Sequence, residues 1–467
     1  MKTDSKFAVV DLEAIDTFSN GGRIIQIAIT MVENWKITDS FNTFVNPQMK
    51  VPQRITDLTD ITDDDVKNAP LFSEIAHRIR AKLEDTVFVA HNVNFDFNYL
   101  NGELAKAGLP RLNIERIDTI ELTKILYPTF EKYSLAQLTQ SLEIPLNHNH
   151  FANLDALATA QLLIKLAERA ESLPSQTLKW FKKLNLSIVG QTAEFFNLFN
   201  GQKNLDSNLK DIGDGVLVAN FESSSQKMKP VLEPVDIDDI GISTDLRIAD
   251  RQLELSDLLF ENRKYPKTVI TSNRFGKTNT ILYLSVLNAM NDKRTLILTK
   301  DKRAISHLKK KWNDIFRNYV QGDLFGEYPT ANEFIDLNFF KKVLKRKEQG
   351  TIQTIKARVL VWLLETKTGA FSDFKATDMS FLSEQISSLK PDLDNPYYQT
   401  FIHNNPIPLI TYTTLGEYRS VNFSDIDLVI NSLMDRSDAI KFKIPTIDFY
   451  KDRQSELQVD EKFRVIQ

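Results

Sequence analysis

The chain has 467 residues, 42% of them hydrophobic and 26% charged, which is ordinary for a globular protein long enough to form two or three domains. Its formal net charge is −4, so the overall charge does not indicate nucleic-acid binding. Any binding of nucleic acid must come from local basic patches. The absence of cysteine excludes disulfides, thiol catalysis, zinc ribbons and iron–sulfur clusters.

Neither the start of the chain nor its apolar runs predict a signal peptide or a membrane span. Asp11 and Glu13 interrupt the first apolar stretch, and the longest apolar run, VLVWLL at 359–364, is far too short to cross a bilayer. We therefore expect a cytoplasmic protein with no membrane partner.

Residues 1–172 alternate strand-like and helix-like segments. Strands are predicted in KFAVVDLE, RIIQIAITMVE, ITDSFNTFVNP and TVFVAHN. Helices are predicted over 73–84, 95–108 and 153–170, and over SLAQLTQSL with Ser134 as its N-cap. This order predicts a mixed sheet covered by helices.

The rest of the chain falls into a less regular stretch and a second alternating one. Residues 173–245 predict a helical connector to about residue 200 and then a linker. In residues 246–467 the strands KTVITSN and RTLILTKD flank the helix KTNTILYLSVLNAM, a βαβ unit of the mononucleotide-binding type. Further strands are predicted over 407–414 and 425–433. The basic helix over 339–350 fits a solvated face better than a DNA patch, although both interpretations are open.

The stretch VVDLEAID places two acids where a buried strand ends. Side chains on a strand repeat with a period of two, so Asp11 and Glu13 face the same way and repel each other. A divalent cation bound between them would relieve this repulsion, and the alternative is that both acids are solvated at the end of the strand.

Two more segments place acids at strand ends or helix starts. Asp96 follows a strand in VAHNVNFDF, and Asp155 lies in the first turns of the helix that follows HFANLD. Four carboxylates at one sheet edge can hold two Mg²⁺ or Mn²⁺ ions about 3.5–4 Å apart. His150 is suited to take a proton from an attacking water, and its spacing to Asp155 favours it over His148. Asp96 alone would also fit an acid at a helix N-terminus.

These motifs together resemble the DEDDh exonucleases, typified by the proofreading epsilon subunit of bacterial replicative polymerase, which have a DnaQ-like, RNase H-like fold. The stretches RIIQIAI, FNTFVNP, ITDLTDIT and RIDTIELTKILYP match as well, so the resemblance covers about residues 6–170. It implies 3′→5′ hydrolysis that releases nucleoside monophosphates. It also assigns roles: metal ligands at Asp11, Glu13, Asp96 and Asp155, general base at His150, and a terminal-nucleotide pocket at Asn92 and Phe95.

One segment departs from this family. Two threonines and a glycine usually follow D-x-E, whereas here Ala14, Ile15 and Asp16 stand in their place, beside the expected 3′ end of the substrate. Rate or substrate choice is therefore open. Asp118, in RIDTIEL, is interpreted as structural.

The stretch TSNRFGKTN lies between a predicted strand and a helix, as a phosphate loop does. Gly276, Lys277 and Thr278 match the end of the G-x-x-x-x-G-K-[ST] pattern, but Thr271 stands at its first glycine. The order of the two halves, with W-L-x-x-T-x-T-G at 362–369, resembles the DinG-type superfamily 2 helicases of Gram-positive bacteria that carry an N-terminal DnaQ-like exonuclease.

The departures from that second family are larger. Where it has D-E-A-H after the strand DLVI, this chain has Asn431-Ser432-Leu433-Met434, and the sequence ends at residue 467, without room for a second RecA-like domain. We predict an exonuclease domain over 1–172, a connector and linker over 173–245, and a single degenerate, truncated helicase-like RecA domain over 246–467. ATP binding is open, and a purely structural remnant is an alternative.

The sequence thus predicts a metal-dependent 3′→5′ exonuclease acting on nucleic-acid 3′ ends, expected to be single-stranded DNA, beside a helicase-like module without motor activity. Proteins of DNA replication or repair are the expected partners. An ATP-dependent helicase-nuclease, a non-catalytic DNA-binding scaffold and an RNA exonuclease are the alternatives.

Overall fold

Clear secondary structure covers most of the chain. The structure, a computed structural model, describes residues 1–2, 4–16, 21–145, 151–204, 206–220, 250–261, 267–272, 275–315, 324–348, 350–374, 392–405, 407–432, 443–451 and 463–466. The chain divides into two compact units. The first comprises residues 1–221, 340–367 and 372–382, and the second comprises 222–339, 368–371 and 383–467. The predicted boundary at 245 falls in residues 221–249, which lie outside the described ranges, and the predicted domain boundaries at 172 and 245 both stay predictions.

The first unit is built on a five-stranded mixed sheet with the order β3-β2-β1-β4-β5. β1 pairs antiparallel with β2 and parallel with β4, while β2–β3 is antiparallel and β4–β5 is parallel. The strands are β1 (Lys6–Ala14), β2 (Ile24–Glu33), β3 (Lys36–Phe44), β4 (Thr86–Ala90) and β5 (Arg116–Asp118). The mixed sheet predicted from the sequence is confirmed.

Helices cover this sheet. They are α1 (Gln53–Thr59), α2 (Asp63–Val66), α3 (Phe72–Leu83), α4 (Val93–Lys106), α5 (Thr119–Leu126), α6 (Leu135–Ser141), α7 (Ala152–Ser172) and α8 (Ser175–Leu184). Ser134 occupies the N-cap position of α6 as predicted, but its side chain makes no capping hydrogen bond. A 3₁₀ helix, Thr192–Leu198, and a hairpin of β6 (Leu209–Asp211) and β7 (Leu217–Ala219) follow α8.

The two faces of β1 have different neighbours. Ala8, Val10 and Leu12 join an apolar core with residues of β2, β4, α3 and α4. Asp11 lies on the other face and pairs in the ladder with Ala28, which packs against Ala152 and Ala156 at the start of α7. Because side chains alternate along a strand, β1 directs Ala8, Val10 and Leu12 to this apolar core and directs its two acids to the opposite face of the sheet.

The second unit has a seven-stranded sheet with the order β10-β11-β9-β12-β13-β8-β14, in which every pairing is parallel except β14–β8. The strands are β8 (Lys267–Thr271), β9 (Thr295–Thr299), β10 (Phe325–Glu327), β11 (Ile410–Thr414), β12 (Leu428–Ser432), β13 (Thr446–Lys451) and β14 (Phe463–Ile466). The predicted βαβ unit is present, and this parallel-rich α/β architecture is compatible with the predicted RecA-like domain.

The remaining helices lie in the second half of the chain. They are α9 (Asp250–Glu261), α10 (Lys277–Ala289), α11 (Lys302–Ile315), α12 (Leu337–Leu344), α13 (Thr351–Trp362) and α14 (Pro396–Asn404). Apart from its first three residues, α12 belongs to the first unit, as does all of α13. None of the helices in the described ranges is long and apolar enough to cross a membrane.

The alanine contact beneath α7 gives a stability prediction. Ala156 is fully buried against Ala28, so Ala156→Leu inserts a branched side chain where only a methyl group fits. We expect a loss of about 1–3 kcal/mol in the free energy of unfolding, the usual cost of overpacking, measured by denaturant titration. The neighbouring Leu157→Ala is the control, because Leu157 is exposed and its removal should cost less than about 0.5 kcal/mol. Equal effects of the two substitutions would contradict close packing at Ala156.

Candidate active site

The two acids of β1 lie beyond the point where its parallel partner ends. The β1–β4 ladder ends at the Val9–Val89 pair, so the backbone of β1 after Val9 needs other partners on that side. The N–H of Leu12 donates to Oδ1 of Asp96, 3.1 Å away. A carboxylate from α4 thus replaces the missing strand and comes to lie beside Asp11.

Asp96 is held in the first turn of α4 by an unusual helix start. Asn92 adopts the left-handed conformation, with φ 81°, and occupies the N-cap position. The next N–H, that of Val93, donates to Oδ2 of Asp118 at 2.9 Å. Asp118 also accepts the N–H groups of Ile120 and Glu121 as the N-cap of α5. Its carboxylate therefore joins two helix starts, in keeping with the structural interpretation made from the sequence.

Asp155 reaches the site because α7 begins close to the sheet. Small side chains at Ala28, Ala152 and Ala156 let the first turns of the helix approach β2. Oε1 of Gln26 accepts the N–H of Ala152 at 3.1 Å, and Nε2 of Gln26 donates to Oδ1 of Asn42 at 3.1 Å. Sequence reasoning missed Gln26; the available signal was a lone polar residue inside the apolar strand IIQIAI, where it is 1% exposed.

Three of the four predicted acids offer ligand oxygens at short range. Carboxylate oxygens of Asp11, Glu13 and Asp155 all lie within 4.8 Å of one another, and each side chain is half-buried. Asp96 is buried close enough to repel the charge on Asp11. The structure thus brings all four acids together at the edge of β1.

The electrostatics of this cluster favour either protonation of the acids or a bound cation. Burial, followed by repulsion from Asp96, Glu13 and Asp155, raises the pKa of Asp11 well above its usual value. Burial and Asp155 raise the pKa of Glu13 to about 8, and burial likewise raises the pKa of Asp96. Half-buried carboxylate oxygens at this spacing are the donor set that hard divalent cations prefer, so the residues fit a divalent metal site.

The remaining catalytic prediction, His150, lies outside the described residues, as does its competitor His148. The histidine of the A-H-N stretch, His91, is inside them and is engaged structurally. Its Nε2 lies 2.9 Å from the carbonyl oxygen of Tyr133, its Nδ1 lies 2.9 Å from Oγ1 of Thr119, and burial lowers its pKa to about 4. His91 is therefore neutral near pH 7.

The two predicted pocket residues are exposed at the start of α4. The side chain of Phe95 is 42% exposed, with its ring centroid 5.7 Å from that of Tyr99, and Asn92 is exposed beside it. An exposed aromatic ring next to a carboxylate cluster is available to a ligand. Their role in a nucleotide pocket stays a prediction.

The segment that departs from the DEDDh pattern is folded into a small core of its own. Ile15 is buried with Ile25 and Val51, and its N–H donates to the carbonyl oxygen of Arg23 at 3.0 Å. The hydroxyl of Tyr99 donates to the carbonyl oxygen of Asp16 at 2.9 Å. Ile15 therefore packs in a hydrophobic core, and these two hydrogen bonds hold the backbone of residues 15 and 16 beside the acids.

In the second unit, Gly276 occupies the N-cap of α10 with φ 82°, and Lys277 is the first residue of the helix. The side-chain amide of Gln252 donates to the carbonyl oxygen of Phe275, and its nitrogen lies 2.2 Å from the place of any Cβ at residue 276. Thr271 is buried at the end of β8, and Arg274 lies outside the described residues. Glycine is thus required by the local structure.

The end of β12 carries no acid. Asn431 is fully buried, and its side-chain nitrogen donates to Oδ1 of Asp448 on the adjacent strand β13. Ser432 follows as the last residue of the strand.

Comparison with known proteins finds a family match within the first unit. The family model described as Exonuclease matches residues 8–163, a range that contains all four acids and His150. Over residues 8–163 the chain is therefore similar to exonuclease domains.

Curated relatives extend the similarity beyond this exonuclease domain. The chain is 28% identical over 415 residues to the 3′-5′ exonuclease DinG of Staphylococcus haemolyticus, a match that covers 86% of this chain and 46% of the relative. The protein of the same name from Staphylococcus aureus strain USA300 is 26% identical over 418 residues, covering 85% and 46%. The chain therefore spans about half the length of the curated relatives it matches. The predicted combination of a DnaQ-like exonuclease domain with a DinG-like region is confirmed.

Among solved structures, Exonuclease X in complex with 5′ overhanging duplex DNA matches with 26% identity and a TM-score of 0.29, covering 35% of this chain and 91% of that one. The nuclease domain of 3′hExo, a DEDDh family member bound to rAMP, matches with 15% identity and a TM-score of 0.33, covering 35% and 92%.

The raised pKa of Glu13 predicts a pH-dependent stability in metal-free protein. Between its ordinary pKa of 4.5 and about 8, the folded protein holds a proton that the unfolded chain has released, so stability falls as the pH rises through this range. Glu13→Gln removes the titration and should raise the melting temperature at pH 8 by roughly 2–4 °C, the shift produced by about 1 kcal/mol in a domain of this size.

The measurement is thermal unfolding in EDTA between pH 5 and 8.5. Lys6 pairs with Glu33 on the same sheet away from the cluster, so Glu33→Gln is the control and should leave the slope of melting temperature against pH unchanged. A Glu13→Gln protein as pH-dependent as the wild type would contradict the repulsion.

Proposed function

We propose that this protein is a divalent-metal-dependent 3′→5′ exonuclease that hydrolyses phosphodiester bonds at nucleic-acid 3′ ends, with single-stranded DNA as its substrate. The observation that carries the proposal is the cluster of Asp11, Glu13 and Asp155 oxygens within 4.8 Å, with Asp96 beside it. The exonuclease family match and the relatives named 3′-5′ exonuclease DinG support the same direction of attack.

In this proposal the four acids would hold two Mg²⁺ or Mn²⁺ ions, which would supply the positive charge that favours ionised water and a leaving 3′ oxygen. The side chains do the positioning. The Leu12 N–H fixes one oxygen of Asp96, and the close approach of α7 to β2 places Asp155. The exposed ring of Phe95 offers a stacking surface to the terminal base, beside Asn92. His150 takes the proton from the attacking water.

The test uses 5′-labelled 20-nucleotide DNA and RNA with Mg²⁺ or Mn²⁺. The wild type should shorten the label-bearing strand from its 3′ end as a ladder, with DNA cleaved faster than RNA. Asp155→Asn should lower the rate by about 1,000-fold or more, because several kcal/mol of transition-state stabilisation depend on the metal pair. Faster cleavage of RNA would assign the substrate to RNA, and intact substrate in every condition would favour the scaffold alternative.

The role of His150 has its own test. His150→Ala should lower the single-turnover rate by about 10²–10⁴-fold at neutral pH, the usual loss on removal of a general base, while metal-dependent thermal stabilisation is retained. His77→Ala is the control, because His77 is exposed on α3 and should leave the rate unchanged. A wild-type rate in His150→Ala would remove His150 from the mechanism.

We propose further that the helicase-like part lacks motor activity. Asn431 and Ser432 at the end of β12 supply no carboxylate for the Mg²⁺ of a bound nucleotide or for its attacking water. ATP binding at Gly276, Lys277 and Thr278 stays a prediction, as do partners from DNA replication or repair.

This gives a prediction for nucleotide turnover. The wild type should show no DNA-stimulated ATP hydrolysis above that of Lys277→Ala, measured as phosphate release, and the two proteins should degrade DNA at equal rates with or without ATP. ATP turnover stimulated by DNA and abolished by Lys277→Ala would support the helicase-nuclease alternative instead.

A further inference from the structure

Two segments of the first unit carry basic residues and no acid. Residues 175–184, which form α8, contain three lysines. Residues 340–347, which comprise the end of α12 and the three residues after it, contain four lysines and one arginine. These eight residues, here called the basic surface, are Lys179, Lys182, Lys183, Lys341, Lys342, Lys345, Arg346 and Lys347. All are exposed except Lys341, which is half-buried. Within a chain of net charge −4, this is a concentrated positive patch.

The turn between β6 and β7 brings the two segments together. Nζ of Lys345 lies 2.7 Å from Oδ2 of Asp214, and Nζ of Lys341 donates to the carbonyl oxygen of Ile212 at 2.9 Å. On the α8 side, Nε1 of Trp180 donates to the carbonyl oxygen of Asp214 at 3.2 Å. One five-residue turn, residues 212–216, therefore contacts both basic segments, which are more than 150 residues apart in the sequence.

The turn has the backbone needed for these contacts. Gly213, Asp214 and Gly215 all have positive φ, at 101°, 62° and 72°, so the chain reverses tightly enough to present Asp214 outward. Lys345, Lys341 and Lys183 together hold the pKa of Asp214 below its ordinary value, which agrees with lysines from both segments lying close to one carboxylate.

The chemistry of the basic surface favours a phosphate backbone. Lysine ammonium groups are flexible point charges suited to successive phosphates, and one exposed Asp214 cannot neutralise eight positive charges. The aromatic residues of the two segments, Trp180, Phe181 and Phe340, are buried, so the surface offers no ring for base stacking. Such a surface would contact phosphates without reading the sequence.

We propose that the basic surface is a docking site for the phosphodiester backbone of the nucleic-acid substrate, outside the carboxylate cluster. The proposal rests on the proposed exonuclease function for the identity of its ligand. In this proposal the basic surface binds long nucleic-acid strands, and the four acids carry out hydrolysis. Short substrates that occupy only the cluster should therefore not depend on it.

The test reverses the charge at four exposed lysines that form no hydrogen bond or ion pair with the described residues. One variant carries Lys179→Glu, Lys182→Glu, Lys342→Glu and Lys347→Glu together. A control protein carries the same change in charge on α11 of the other unit, at Lys302, Arg303, Lys310 and Lys311. Binding of a 5′-fluorescein 40-nucleotide DNA is measured by anisotropy in EDTA, where no hydrolysis occurs. Thermal unfolding checks that both proteins fold.

We expect the Kd of the basic-surface variant to rise at least about tenfold at 50 mM salt, and the slope of log affinity against log salt to fall by about 2–3, since each lost phosphate contact of a single strand removes about 0.7. The α11 control should bind as the wild type does. Hydrolysis of the p-nitrophenyl ester of thymidine 5′-monophosphate should be unchanged, while KM for the 40-nucleotide DNA rises.

The outcomes separate the two proposals. Unchanged DNA binding in the basic-surface variant, or an equal loss in the α11 control, would overturn the docking site while leaving the exonuclease proposal intact. Weakened binding in the variant together with no hydrolysis by the wild type would support the docking site and overturn the exonuclease. Competition by poly-L-glutamate as effective as competition by DNA of equal charge would overturn the docking site and assign the surface to acidic proteins.

Discussion

The arrangement of this protein's first unit depends on mutual repulsion between carboxylates that the fold holds together. Two unit charges 4.8 Å apart repel by roughly 3.5 kcal/mol at an effective dielectric constant of 20, and three such groups surround one another here, with Asp96 beside them. A fold gains nothing in stability from this cluster. It is kept together by contacts elsewhere: the Leu12 N–H on Asp96, the Gln26 amide on the start of α7, and the three alanines between α7 and the sheet. The site therefore favours the binding of positive charge, and the repulsion between its carboxylates is relieved only when a cation binds or the acids take up protons.

The surrounding polar groups show how the fold limits this cost. Asp118 is a fifth acid nearby, close enough to raise the pKa of Asp96, yet its own oxygens accept three backbone N–H groups from two helix starts. His91 is satisfied at both ring nitrogens, and burial keeps it neutral. His91 directly follows β4 and Asp118 ends β5, so both come at the ends of strands that run parallel to β1, but both are committed to structure. Sheet-edge position alone does not separate a ligand from a cap; the hydrogen-bond partners do.

Local patterns in the sequence are enough to predict β1–β4, β8, β9, β11 and β12, several of the helices and the shared face of Asp11 and Glu13, because period and spacing are short-range properties. The short strands β5, β6, β7, β10, β13 and β14 are not predicted. The local patterns also placed Asp96 and Asp155 at helix starts. What they could not supply were contacts between distant segments. Gln26 and Ala152 are 126 positions apart, and nothing local marks their hydrogen bond. The approach of residues 340–347 to α8 likewise depends on the Gly213–Gly215 turn, which joins two stretches that each read as an ordinary solvated face.

The second unit shows why a short motif needs its chemical partners before it indicates a ligand. Gly276 is explained without a phosphate, because its φ of 82° at the start of α10 is a conformation that favours glycine. Gly276 is therefore accounted for by the backbone at the start of α10, whether or not a nucleotide binds there. Nucleotide hydrolysis makes a different demand, for a carboxylate at the end of a nearby strand, and β12 ends in Asn431, whose amide is bonded to Asp448, and Ser432. The first unit meets its corresponding demand with four acids. In the first unit the four acids are not explained by the needs of the fold, which points to catalysis. In the second unit Gly276 and Asn431 are explained by local structure, which points to a binding or structural role.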